Sequence, residues 1–334
     1  MKNAKPIWTA EALLELGRGY QAAAVFGAAA DLNIFHLVSQ RAHTAIEISR
    51  KLQSKLRGVE ILLDALAALG LLVKKSGRYS LASGLADYLT DKGSQSVLGM
   101  ARHQANCLRN WSQLAMVVKT GQPVPKLPSV RGIKGDQESF ITAMHNISVI
   151  QADEVIRAIQ PLRFEHLLDI GGASGTWSMA FLKTCPTGLA TLFDLPHVIP
   201  MARKQLTASK MQKRVKLVAG DFMCDTLPQG ADLAWVSAIV HQNSRAQNRS
   251  LFANVYQALV SGGRIAIRDI IMEEDHTSPP AGALFAINML VATPGGGTFT
   301  FGELKEDLAK AGFIQARVAR SDMAMNGIVV ATKP

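Results

Sequence analysis

Cysteine, long apolar runs and grouped charge are all scarce in this chain, and each shortage narrows what it can be. Three cysteines (Cys107, Cys185, Cys224) in 334 residues are too few and too far apart for a disulfide framework or a structural zinc site, and they suit a reducing compartment. No apolar run approaches the roughly 18 residues that span a bilayer; the most apolar, Ala22–Ala30, is too short. Near the start, Lys2 and Lys5 are followed by Glu11 and Glu15 rather than an apolar core, so no secretory signal is expected. The formal charge is +10, yet Lys and Arg are scattered, with doublets such as Arg50-Lys51 and Lys74-Lys75 but no long basic run. That distribution counts against a nucleic-acid partner and is compatible with anionic substrates. Nor do carboxylates cluster as Mg²⁺ requires, so no metal is expected. These absences describe a cytoplasmic protein working away from membranes.

What is present is a well-packed chain, 48% hydrophobic and 19% charged, long enough for two domains. Trp8 to about Val38 reads as one or two Ala- and Leu-rich helices, with Gly17, Gly19 and Gly27 at positions that suggest close helix contacts. Leu13, Leu16, Tyr20, Val25 and Phe26 offer more apolar face than one small domain needs, which points to a subunit interface. Thr44 and Glu47 form a capping box for a helix Ala45–Leu52. A second helix carries Ile61, Leu62, Ala65, Leu66 and Leu69 and closes at Gly70; strands Leu71–Lys74 and Arg78–Leu81 then turn at Ser76-Gly77. Helix, helix, hairpin is a winged-helix pattern. Its second helix presents Arg57 with Glu60 and Asp64, a poor face for phosphate, so the unit reads as architectural.

Residues 94–160 read as helical around a Pro/Gly-rich passage at Gly121–Gly135. One helix carries Trp111, Leu114 and Val118; another, about Gln137 to Ile159, carries Phe140, Met144 and Ile147 as core positions. From Phe164 strands alternate with helices: Glu165–Ile170, Leu189–Phe193, Val215–Ala219, Leu233–Ser237 and Arg264–Ile270, closed by Ile314–Val318 and Gly327–Thr332. The expected fold is therefore α/β, a mostly parallel sheet with a closing hairpin behind a mainly helical N-terminal part.

The chemistry begins at Leu167-Leu168-Asp169-Ile170-Gly171-Gly172-Ala173-Ser174-Gly175, a strand ending in a carboxylate and a glycine-rich turn into a helix. Asp194 closes the next strand, where it can hold a ribose diol, and Gly220-Asp221-Phe222 closes the third, where acid and ring suit an adenine. This is a nucleotide-binding half-fold. The sixth-position glycine of the dinucleotide fingerprint is missing, which favours a nucleoside without pyrophosphate over NAD or FAD.

On these residues the chain resembles the class I S-adenosylmethionine-dependent small-molecule O-methyltransferases, the family of caffeate and acetylserotonin methyltransferases. The resemblance covers nearly the whole sequence. It rests on Leu62-Leu63-Asp64-Ala65-Leu66 and Leu69-Gly70-Leu71-Leu72, on Trp111 to Pro123, on Asp169 to Gly175, and on Phe193-Asp194-Leu195-Pro196-His197-Val198. Gly220-Asp221-Phe222, His241, Ser261-Gly262-Gly263 and Ala311-Gly312-Phe313 extend it. It implies a winged-helix dimerisation domain (1–100) that makes a homodimer, a helical connector (101–160), and a Rossmann-like seven-stranded methyltransferase domain (161–334). It also implies S-adenosylmethionine as cofactor, left as S-adenosylhomocysteine. Gly171, Gly172 and Gly175 would pass its methionine portion, Asp194 its ribose, and Asp221 with Phe222 its adenine. Asp169, Leu195 and Ser237 complete the expected cofactor set, Ser237 standing where the family commonly has a cofactor-contacting lysine. His241 would be the general base, since an imidazole with pKa near 6.5 can take the proton of a hydroxyl attacking the sulfonium methyl. Asp269 would orient it. His103, Met144, Asn146, Phe285, Asn288, Met289 and Thr298 would surround a small acceptor held between the two domains.

Two departures limit the reading. Gln242-Asn243 follows His241 where the family often has Asp-Trp, and Thr298 stands where a second orienting Glu is usual. A neutral hydroxyl cannot support an imidazolium as a carboxylate does. Transfer to a hydroxyl of a small, aromatic metabolite is the leading expectation. S- or N-methylation without a strong base, C-methylation, a non-catalytic cofactor-binding protein and a winged-helix DNA regulator are the alternatives.

Overall fold

The computed structural model describes residues 8–91, 93 and 95–334. Lys2 and Lys5, with the expectation drawn from them, lie outside the described residues, as does residue 94, the first of the stretch expected to be helical. The chain divides into two units, one running to Ser112 and taking in Lys126–Asn146, the other formed by Gln113–Pro125 and Ile147–Pro334. The connector expected at 101–160 is thus shared out between them.

The first unit opens with helices Ala10–Arg18, Tyr20–Asp31 and Ile34–Gln40. A short strand β1 (His43–Thr44) leads to helix Ala45–Lys51, where Thr44 Oγ1 accepts from the Glu47 backbone N–H (3.2 Å) and Glu47 Oε2 accepts from that of Thr44 (2.7 Å). Helix Leu56–Ala68 follows, then β2 (Leu72–Lys75) and β3 (Arg78–Leu81) in an antiparallel sheet ordered β1-β3-β2. Ser76 and Gly77 both take positive φ (49° and 73°), the twist a two-residue hairpin needs. Ala29, Ile34, Phe35, Ile48, Leu63 and Leu66 make the core of this winged helix. Of the three early glycines only Gly27 is a close helix contact: a Cβ there would lie 2.7 Å from that of Ala105, whereas Gly17 faces open space. The first helix buries nothing within the chain, and Leu13, Leu16 and Tyr20 remain exposed.

The expected helix through Trp111 and Val118 is two helices, Leu98–Trp111 and Leu114–Thr120, because Gln113 leaves helical geometry (ψ 9°). Val117, not Val118, is the buried position. The next helix starts earlier than expected and spans Gly132–Ala158; its buried residues include Ala143, while Phe140 is exposed.

The second unit is built on a seven-stranded sheet: β4 (His166–Ile170), β5 (Leu189–Asp194), β6 (Val215–Ala219), β7 (Ala231–Ser237), β8 (Leu259–Asp269), and, beyond the short pair β9 (Ile271–Met272) and β10 (Phe299–Thr300), β11 (Ile314–Arg320) and β12 (Gly327–Thr332). The order is β11-β12-β8-β7-β4-β5-β6. Strands β4 to β8 run parallel; β12 lies antiparallel to both β8 and β11. Parallel strands covered on both faces must be apolar on both. Leu167, Leu192, Leu233 and Trp235 accordingly fill one core, and Leu168, Ile170, Phe193, Ala234 and Val236 the other. The chain winds outward from β4 through β5 and β6, then returns to begin again at β7 on the other side. That reversal opens a crevice at the carboxyl ends of β4 and its neighbours, where sheets of this type bind ligands.

Candidate active site

At the end of β4, Gly171 takes φ +65° and donates its N–H to Phe193 O (2.8 Å), while Gly175 takes φ +78° and starts the helix Thr176–Thr184. A Cβ at Gly171 would meet Ile239 Cδ1 at 2.6 Å, and one at Gly172 would meet Leu192 Cγ at 2.6 Å. The turn therefore leaves no room for a side chain at Gly171 or Gly172 and presents backbone at the carboxyl edge of the sheet. Asp194, half-buried at the end of β5, caps that turn. Its Oδ2 accepts from Ala173 N (2.8 Å) and its Oδ1 from Leu195 N (2.7 Å). Burial raises this carboxyl above its ordinary range, against the pull of those two donors. Each oxygen keeps a lone pair for a vicinal diol. Asp221 accepts from Met223 N (2.9 Å) in the turn after β6, and Phe222 packs partly buried against the core beside Gly171.

Asp169 is placed differently from these. It is 1% exposed, accepts the Ser178 hydroxyl at 2.6 Å and is pushed up to about 7, chiefly by burial. The carboxyl lies beneath the glycine turn and ties it to the following helix.

After β7 the chain passes Ala238 (φ +57°) into a short 3₁₀ turn, Val240–Gln242. There His241 Nδ1 lies 3.0 and 2.9 Å from the two oxygens of Asp269, both residues being buried. Asp269 also accepts from Ile270 N (2.8 Å). An ionised carboxylate only accepts, so the proton of a neutral imidazole belongs on Nδ1 and Nε2 keeps its lone pair. The ring of Phe285 stands edge-on to that imidazole (4.9 Å, 84°). Gly297 N donates to His241 O (2.9 Å), and a Cβ at Gly296 would lie 2.5 Å from the same oxygen. The triglycine loop thus clamps the backbone of the turn. Beneath it, buried Asn248 donates to Val240 O (2.9 Å) and accepts from Asn243 (3.1 Å).

A fixed imidazole at the same sheet edge as a glycine turn and the Asp194 carboxylate suits several group transfers, and comparison with known proteins narrows them. The O-methyltransferase domain family matches residues 130–314 and the O-methyltransferase dimerisation domain matches residues 14–91. A 3-hydroxy-5-methyl-1-naphthoate 3-O-methyltransferase of Streptomyces sahachiroi is 30% identical, over 96% of this chain and 94% of its own. The chain belongs to the O-methyltransferase family. Tetracenomycin polyketide synthesis 8-O-methyl transferase TcmO of Streptomyces glaucescens is 28% identical, over 91% of each chain. In fold, human N-acetylserotonin methyltransferase, solved in complex with S-adenosylmethionine, superposes with TM-score 0.82 over 99% of each chain at 24% identity. This protein is accordingly an S-adenosylmethionine-dependent methyltransferase acting on a small metabolite.

The residues expected around the methyltransferase's acceptor fall in both units. Phe285, Met289 and Thr298 belong to the second, with Met289 and Thr298 buried and the Thr298 hydroxyl turned to Gly282 O (3.4 Å). Asn288 lies on the same helix, Pro280–Ala292. His103, Met144 and Asn146 belong to the first. His103 lies against Phe140 (5.0 Å) and beside Cys107 Sγ (3.6 Å), its pKa lowered by burial, and Asn146 donates to Ser96 O (2.9 Å). Among the described residues no group of three metal-ligating side chains occurs, and no single helix is long and apolar enough to cross a membrane.

One charged residue escaped the reading of the sequence. Arg268, 3% exposed on β8, donates to Ser237 Oγ (3.1 Å) and twice to Asn326 Oδ1 (2.9 and 2.7 Å), and its guanidinium stacks on Trp177 (4.4 Å). Burial lowers its pKa to about 10. Its signal was present: two adjacent charges, Arg268-Asp269, end the apolar run Ile265-Ala266-Ile267.

Proposed function

We propose that the protein transfers the methyl group of S-adenosylmethionine to a hydroxyl of a small aromatic metabolite, with His241 as general base. The observation that carries this reading is the His241–Asp269 pair, which fixes the tautomer and leaves Nε2 as acceptor. The turn Gly171–Gly175, Asp194 with Leu195, and Asp221 with Phe222 are assigned to the cofactor, their acceptor atoms suiting an adenosine with an amino-acid tail. When bound, the cofactor supplies an electrophilic methyl on a sulfonium, so the protein's own task is alignment and proton removal. His241 takes the acceptor's proton at Nε2, and the buried Asp269 carboxylate stabilises the imidazolium. Asp169 serves the crevice by holding its floor. Phe285, Asn288, Met289 and Thr298, which share the second unit with His241, are assigned to the acceptor.

A homodimer is part of the reading. Leu13 and Leu16 on the first helix and Tyr20 at the start of the second are exposed, at the beginning of the stretch 14–91 that matches a dimerisation domain, and such a face suits a second copy of the chain. The free cysteines fit a cytoplasmic protein. The division into dimerisation (1–100), connector (101–160) and catalytic (161–334) segments is kept as the working description.

S- or N-methylation is the second reading, favoured by Thr298: its hydroxyl binds Gly282 O and leaves Asp269 as the imidazole's carboxylate partner. Supplying isotopically labelled S-adenosylmethionine with phenol, thiol and amine panels, and locating the label by mass spectrometry, decides between them. If neither S-adenosylmethionine nor S-adenosylhomocysteine binds in calorimetry up to about millimolar concentration, both readings fail.

A further inference from the structure

Arg268 is a buried cation without a counter-ion. Among the described residues no carboxylate lies within ion-pair distance of its guanidinium, and Asp269 and Asp322 act on it only at longer range. Its partners are neutral: Ser237 Oγ, Asn326 Oδ1 and the face of Trp177. Burying a charge on neutral partners is costly, and the cost is offset where a bound anion completes the site. The surroundings point to where that anion sits. Ser237 ends β7, and Arg268 is its registered partner on β8; Trp177 opens the helix that leaves the glycine turn. Ser237 is only partly buried. Its oxygen accepts from the guanidinium, so its own O–H is polarised and free to donate outward.

We propose that Ser237 and Arg268 together form the subsite for the carboxylate of the cofactor's amino-acid tail, the serine hydroxyl donating to it and the arginine behind supplying the positive charge. Ser237 is the contact; Arg268 is a positioning residue acting through it. This rests on the methyltransferase reading above.

The test compares S-adenosylhomocysteine with its decarboxylated analogue, which keeps the amine and loses only the carboxylate, by calorimetry without acceptor. The unaltered protein should prefer S-adenosylhomocysteine by about tenfold or more, the scale of a hydrogen bond to a charged group. Arg268→Met and Ser237→Ala should each erase most of that preference while leaving affinity for the analogue within about threefold, and the double variant should lose little more. Arg268→Lys, which keeps the charge, should retain part of the preference and covers the case in which Arg268→Met does not fold. Equal weakening of both ligands, or an unchanged ratio in Ser237→Ala, overturns the proposal. Failure of the unaltered protein to bind either ligand overturns the methyltransferase reading instead.

Discussion

His241 and Asp269, 28 positions apart in sequence, meet with Nδ1 2.9 Å from the nearer carboxylate oxygen, because the turn after β7 and the end of β8 lie side by side in the parallel sheet. With a hydroxyl acceptor, His241→Ala should lower kcat by about 10²-fold or more while S-adenosylhomocysteine affinity stays nearly unchanged. A loss of less than about threefold would remove the general-base role and favour an acceptor that surrenders no proton.

Asp269→Asn keeps the shape of the pair and reverses its logic. The amide can present N–H to Nδ1, which moves the ring proton to Nε2, the wrong tautomer for a base. Turnover of a hydroxyl acceptor should fall by about 10²-fold or more, and steady-state kinetics beside Thr298→Val give the comparison. The Thr298 hydroxyl faces Gly282 O rather than the imidazole, so its removal should change kcat less than threefold, about the error of the comparison.

Gly296→Ala places a Cβ 2.5 Å from both His241 O and Thr293 Oγ1. A backbone carbonyl cannot rotate away, so the turn that carries the imidazole must shift. Chemical denaturation should show a loss of roughly 1–3 kcal/mol, and kcat should drop while cofactor affinity is preserved. Unchanged kcat would show that the triglycine loop does not hold the base.

Asp169 gives a pH dependence whose sign follows from its burial. Its folded pKa is about 7 against an ordinary 3.8. Between these values the folded protein holds a proton that the unfolded chain has released, so its contribution to stability is present below about pH 4 and is lost as pH rises towards 7. Asp194, raised in the same direction, adds to the slope. Asp169→Asn keeps an acceptor for Ser178 and never ionises. Thermal unfolding without ligand should therefore give the variant a higher Tm than the parent at pH 8, with the difference shrinking towards pH 4. Parallel curves for the two proteins would show that Asp169 is ionised in the fold.

Periodicity and turn chemistry made much of this protein legible before any coordinates. The capping box of Thr44 and Glu47, the Ser76-Gly77 hairpin, the strands of the large sheet and the glycine turn at the end of β4 all depend on residues adjacent in sequence. The family signature placed Asp194, Asp221, His241 and Asp269 at strand ends, and the sheet delivers all four to its carboxyl edge. Local reading failed where a neighbour from elsewhere decides. Nothing at Ser112-Gln113 announces a break, yet the helix stops there; and the face expected around Phe140 is exposed while Ala143 is buried.

The sequence by itself determined the α/β rhythm, the glycine turn after the first strand of the large sheet and the strand-end positions of Asp194, Asp221 and Asp269, because those follow from residue type and short spacing. The tertiary structure alone decided that Asp169 turns inward to Ser178, that β12 inserts between β8 and β11, that Gly296 presses on the carbonyl of His241, and that Arg268 reaches across to Ser237. Each of these is a meeting of groups distant along the chain, set by sheet register and close packing, and a linear pattern carries no record of which strands will be neighbours.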